Sequence, residues 1–198
     1  NVYGVHIASK SADDDTAISV SDVTVDITGK GSAAADRATI GGSVAGTLIQ
    51  IRDGAASDVG ENTTGDTTKN IVKVENANVG GRVVGGSTQI GDSTENEVTL
   101  KNVTVTGSVR GGEAFRGKAD KNTVTMTSSD ANSVTGGMSG GAGPTKKTQG
   151  LSASDNVVSV TGTYSNKAYT NGKITNSIVG GLINTVTDEV DGKYVTEA

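Results

Sequence analysis

The densest groups of side chains able to do chemistry are the carboxylates of Asp13-Asp14-Asp15 and Asp188-Glu189. Hydrolases on β-helical scaffolds use paired carboxylates, in which burial raises the pKa of a general acid beside a second carboxylate in a different environment. Nothing flanking either run supplies an apolar pocket, so both read as solvated turns. Calcium is the other use for such groups, and secreted solenoids bind it through tandem Gly-Gly-x-Gly-x-Asp nonapeptides. Gly85-Gly86-Ser87-Thr88-Gln89-Ile90-Gly91-Asp92 lacks the Gly at the fourth place and has no tandem copy. The match fails.

His6 is the only histidine, which excludes a His-pair metal site and leaves any Ser-His-Asp triad dependent on that residue. No Ser sits in a nucleophile elbow, and the absence of Cys removes disulfides, thiolate ligands and Cys nucleophiles together. Phosphate-cradling loops need a glycine turn leading into a helix N-terminus, whereas the Gly pairs here lead into polar loops or further strands. The reading therefore has no catalytic residue, no cofactor and no metal. Sugar binding favours aromatic platforms, and Tyr3, Phe115, Tyr164, Tyr169 and Tyr194 are the whole supply. Tyr164 and Tyr169 share one loop and are the candidate ligand-binding residues. Thr rows at Thr104 and Thr106 or Thr123 and Thr125 resemble the flat faces of ice-binding solenoids, but Lys73, Val158 and Ser159 interrupt the array.

The elements that would carry these residues follow from composition. Apolar residues are 33% and aromatics 3% of 198 residues, with 29 Gly and one Pro, too few large side chains to fill a wide core. Disordered chains share that low hydrophobicity but are poor in β-branched residues and rich in Pro. Here strings such as Val103-Thr104-Val105-Thr106 favour strands, so a narrow core of Val and Ile fits. The net charge of -5 has no basic stripe, which argues against nucleic acid.

Internal repetition is the strongest signal. Asn-x-Val-x-apolar recurs at Asn70, Asn96, Asn122 and Asn156, and an apolar-x-Gly-Gly half recurs at Gly85, Gly111, Gly136 and Gly180. Weaker copies are expected at Thr16 to Val25 (aligned without a gap on Asn96 to Val105), at Thr47 to Ile51 and from Asn184. Short strands with period-two alternation can bury their apolar side only by stacking on neighbouring units. The expected fold is all-β, a parallel β-solenoid of about six or seven coils with loop insertions. Asn would stack on Asn from coil to coil, and Gly-Gly would turn the chain at a corner through positive φ. Glu113 to Lys121, Met138 to Asp155 and Thr163 to Thr175 read as surface loops.

The repeated Asn-x-Val-x-apolar followed by Val-x-Gly-Gly resembles the passenger segments of Gram-negative autotransporter adhesins and related large secreted β-helix proteins, over about Thr16 to Thr187. The resemblance implies a rod that holds adhesive regions away from the cell, exported through a C-terminal outer-membrane barrel, with no catalytic motif to carry over. Asn1-Val2-Tyr3-Gly4 is neither an initiator Met nor a signal peptide, and no apolar run approaches the roughly 20 residues that span a bilayer. The expectation is a single solenoid segment over residues 1–198, part of a longer protein at the bacterial cell surface. It is a structural and adhesive stalk, not an enzyme, with a host-cell glycan or protein or a second copy as partner and membrane attachment through other regions. The alternatives are a carbohydrate-active β-helix enzyme and a module that self-associates through strand edges.

Overall fold

The computed structural model describes residues 1–9, 18–51, 65–140, 150–165, 168–171, 173–183, 187–190 and 193–196. Strands stack in parallel on three sides, so the chain is a parallel β-solenoid with three strands per turn. The first sheet runs Val2–Ser9, Val44–Ile51, Val83–Thr88, Ser108–Ala114, Ser133–Ser139, Ile178–Ile183. The second runs Thr24–Thr28, Ile71–Val79, Glu97–Val105, Thr123–Thr127, Val157–Thr161, with Ala38–Ile40 also on Ile71–Val79. The short third side stacks Val20–Ser21, Thr67–Thr68 and Ser93–Thr94, and Gly117–Lys118 pairs with Gly150–Ser152. The first sheet has six levels, in keeping with the expected six or seven coils.

Pairing is in register, so each interior position forms a column. Val72, Val98 and Val124 stack, as do Val74, Leu100 and Met126, all buried, and Val158 and Val160 extend the columns half-buried. In the first sheet Val44, Val83, Val109 and Val134 make a third column without exposure. A fully buried valine contributes on the order of 2 kcal/mol, so these columns of small apolar residues hold the rod without aromatics.

Two corners use left-handed residues. Asp22, Lys69, Glu95, Lys121 and Asp155 have φ of 55–58°, and each except Asp22 directly precedes a ladder Asn. Asn76, Asn102 and Ser128 have φ of 50–54° midway along the second side. One left-handed residue shifts the alternation by one, so that Val98 and Leu100 before the corner and Val103 and Val105 after it all point inward. Asn102 Nδ2 donates to Asn76 Oδ1 at 3.2 Å, a second, exterior Asn contact the repeat did not announce.

Several expectations are corrected. The Gly pairs are not corners: they lie inside the first-sheet strands, and their φ values are not positive. They are glycines because a Cβ at Gly85 would press on the carbonyl oxygen of Gly111, and one at Gly112 on the side chain of Asn122. Thr24 aligns with Ile71 and hence Glu97, seven places from the ungapped alignment, while Val20 belongs to the third side. Thr47 stacks on Gly86 in the first sheet, not at an Asn position. Thr187 opens an antiparallel hairpin with Lys193–Thr196 instead of a new coil, and Asn184 lies outside the described residues. Glu113 to Lys121 is not a loop: Glu113 and Ala114 are the last two residues of a first-sheet strand and Gly117–Lys118 joins the third side.

Candidate functional site

Three groups of residues outside the apolar columns bear on what the surface can do. The first is the pair of tyrosines. Thr163–Ser165 and Ala168–Asn171 form an antiparallel two-stranded sheet separate from the parallel sheets, and its register sets Tyr164 directly opposite Tyr169. The hairpin falls between Val157–Thr161 and Ile178–Ile183, the strands of the last coil. Two ligand candidates known only to share a loop are thus brought to one cross-strand position.

The second group was not foreseen. Glu113 is 1% exposed, and its carboxylate accepts from Arg82 Nη1 at 2.7 Å, from Ser87 Oγ at 3.1 Å and from Arg110 Nη1. Register puts Glu113 between Ser87 and Met138, with Arg110 three residues back on its own strand. A buried carboxylate is tolerable only when paired and hydrogen-bonded, and this one is both. Its acceptor positions are engaged, so the carboxylate is built as an anchor between coils. The sequence held one signal: Glu113 is the only acidic residue directly after a Gly pair, where the other repeats have Ser87, Met138 and Leu182.

The third group is the line of charges at the first corner. Asp22, Lys69, Glu95, Lys121 and Asp155 are all exposed, occupy successive levels and alternate in sign along the rod. Neighbouring opposite charges favour this register, and a one-level slip would bring each toward a like charge.

The remaining candidates are scattered. His6 is exposed, with Nε2 3.4 Å from Gln50 Oε1 and its ring centroid 5.1 Å from that of Tyr3. Asp13, Asp14 and Asp15 lie outside the described residues, and Asp188 and Glu189 stand opposite Val195 and Tyr194 in the C-terminal hairpin. On the third side carboxylates cap backbone amides of the next coil: Asp66 Oδ1 accepts from Asp92 N, and Asp92 Oδ1 from Lys118 N, both at 2.8 Å. Asp120 Oδ1 accepts from Ser152 Oγ at 2.6 Å and Ser154 N at 2.8 Å. Partial burial pushes Asp120 up, but the hydrogen bonds from Ser152 and Ser154, with the Lys118 charge, outweigh it and hold the carboxyl below its ordinary range.

The Thr rows form no array, since Asp26, Lys73, Thr99, Thr125 and Ser159 share one outward column. Among the described residues no three His, Asp or Glu come together as a metal-holding group, and no helix is long and apolar enough to cross a membrane. Comparison with known protein families, with curated proteins and with solved structures finds no match to this chain.

Proposed function

We propose that the chain is a structural and adhesive stalk segment of a secreted bacterial cell-surface protein, akin to an autotransporter passenger, and that it contacts its partner through the hairpin bearing Tyr164 and Tyr169. The observation that carries the reading is the contrast between the rod and that hairpin. The rod is repetitive, and the Asn amides of its interior are committed to neighbouring coils. The hairpin is antiparallel, stands apart from the parallel sheets and concentrates two of the chain's five Tyr and Phe residues at one register position. Tyrosine supplies broad contact area at low entropic cost together with a hydroxyl, which suits a glycan or a protein loop.

The test is binding of the full chain to a glycan array and to host cells, for the wild type and for a Tyr164→Ala, Tyr169→Ala double variant. The reading expects binding that falls at least tenfold in the variant while melting temperature and strand content stay unchanged. Wild-type chain that binds nothing on either surface, or a variant that binds as well as the wild type, would sink it.

A further inference from the structure

The charges around Glu113 are uneven. Arg82 and Arg110 bring two positive charges to one carboxylate, and Glu113 is the only acidic residue in the six strands of the first sheet. Its neighbours in register, Ser87 and Met138, and those of Arg110, Val84 and Thr135, are uncharged. One positive charge is left over. Donors are left over as well: each guanidinium gives one Nη1 to Glu113, and Arg110 Nε is buried without a partner among the described residues.

The sheet presents this surplus in a crease. A Cβ on Gly111 and one on Gly112 would both meet the buried side chain of Asn122, so two successive residues face inward where a flat strand would alternate. The strand therefore bends with its hollow side out, and side chains three apart converge across the Gly pair, as Arg110 does on Glu113. The Arg82 and Arg110 side chains remain 34% and 22% exposed. They are within reach of solvent yet partly desolvated, which makes an uncompensated charge costly and a counter-charge favourable. Beside them Ser108 and Ser133, paired in register and half-buried, bring two hydroxyls to the same side of the rod, since Arg82 and Ser108 directly precede the paired Val83 and Val109.

We propose that Arg82 and Arg110 form a binding site for a singly charged acidic substituent of a glycan, a carboxylate or a sulfate ester. The outward N–H groups of the two guanidiniums fork onto its oxygens, and the sugar lies across Ser108 and Ser133. Glu113 holds both side chains in place beforehand, which lowers the cost of ordering them. A single negative charge matches the single positive surplus, whereas a phosphate monoester with nearly two charges would overshoot it. The chain as a whole has a net charge of -5, so attraction to an acidic glycan is local to this group and opposed elsewhere. The site does not rest on the tyrosine hairpin, which follows a strand of the second sheet.

Calorimetric titration of the full chain at low ionic strength tests it with three oligosaccharides: an oligogalacturonate bearing carboxylates only, a carrageenan fragment bearing sulfate esters only, and an uncharged maltooligosaccharide. Binding of at least one acidic oligosaccharide and not of the neutral one is expected, and which of the two binds identifies the anion. Arg82→Gln leaves one Arg facing Glu113 and should raise the dissociation constant roughly tenfold. Glu113→Gln doubles the surplus charge and should lower it about threefold, the opposite of what loss of a purely structural anchor would do. Any stability lost in that variant should be restored by the oligosaccharide that binds, seen as a rise in melting temperature larger than in the wild type. Lys101→Gln removes the same charge from the second sheet and should change nothing. Wild-type chain that binds neither acidic oligosaccharide, or binds the neutral one equally, would overturn the proposal. So would Arg82→Gln binding like the wild type, a folded Glu113→Gln binding no more tightly, or Lys101→Gln weakening binding as much as Arg82→Gln.

Discussion

Asn96 lies over Asn122 with both its backbone N–H and its side-chain Nδ2 donating to the one oxygen Oδ1 of Asn122, each at 3.0 Å. The same double bond joins Asn70 to Asn96 at 3.1 and 2.8 Å, and Asn122 to Asn156 at 2.8 and 3.2 Å. The second amide proton goes to the third side, from Asn96 to Thr67 O at 3.1 Å and from Asn122 to Ser93 O at 2.9 Å. Each central amide is therefore saturated, and the second and third sides of the coil are tied at one buried point. The ladder stops at Val23, whose N–H donates to Asn70 Oδ1 at 3.2 Å but which has no amide of its own to offer.

Asn122→Asp should destabilise the fold far more than Asn132→Asp. Asp at 122 loses both donors and turns an acceptor toward Ser93 O and Asn156 Oδ1 in a buried place. An unsatisfied buried group costs about 1–3 kcal/mol, more when charged, so a loss of about 3 kcal/mol is expected. Asn132 is exposed, and its Oδ1 already accepts from Thr175 Oγ1, a bond a carboxylate keeps. Urea unfolding of both variants decides, and equal midpoints would refute the role given to the ladder.

Gly111→Ala and Gly41→Ala should part in the same way for a steric reason. The added methyl at Gly111 meets the backbone carbonyl of Gly136 and the Cβ of Asn122, neither of which yields without moving a coil. A loss of about 3 kcal/mol or failure to fold is expected. At Gly41 nothing lies within 4 Å and φ is not left-handed, so alanine should be neutral or stabilising by up to ~1 kcal/mol. Thermal melts of the two variants provide the comparison.

Asp120 sets an acid limb. Its folded pKa is lowered, so its contribution is complete above the unfolded value of about 3.9 and is lost as pH falls through the lower folded value. Asp120→Asn keeps an acceptor for Ser154 N but removes this titration. Stability measured from pH 6 down to pH 2 should decline less steeply in the variant, and parallel curves would count against the assignment.

Arg37 reaches over two coils: Nη1 donates to Asn78 Oδ1 at 2.9 Å and Thr104 Oγ1 at 3.2 Å, and Nη2 to Asn102 O at 2.6 Å. Arg37→Lys cannot reproduce that fork and should cost about 1–2 kcal/mol, nearly as much as Arg37→Ala. Chemical denaturation of both variants tests this, and full rescue by lysine would show that charge alone suffices.

Much was legible because a stacked fold writes its contacts at a fixed spacing. Asn70, Asn96 and Asn122 recur every 26 residues since each occupies the same site one level on, and the alternation of Val98 and Leu100 with Thr99 marks a strand with one buried side. The place of Thr24 is not legible because the first coils lack the ladder Asn and the second Gly of the pair, leaving only alternation, which fits at many offsets. Tyr164 and Tyr169 were legible as neighbours in one segment, not as cross-strand partners.

The sequence by itself determined that the chain is all-β, that its units stack, that Asn pairs with Asn and that the interior is narrow, because these depend on residue type and period alone. The tertiary structure decided the rest. It fixed three strands per turn, showed the Gly pairs to be clearance for Asn side chains and neighbouring carbonyls instead of turns, and closed Arg82, Ser87 and Arg110 around Glu113. Those outcomes depend on which side of a coil faces which, and that is set only when backbones from different levels and faces come within contact distance.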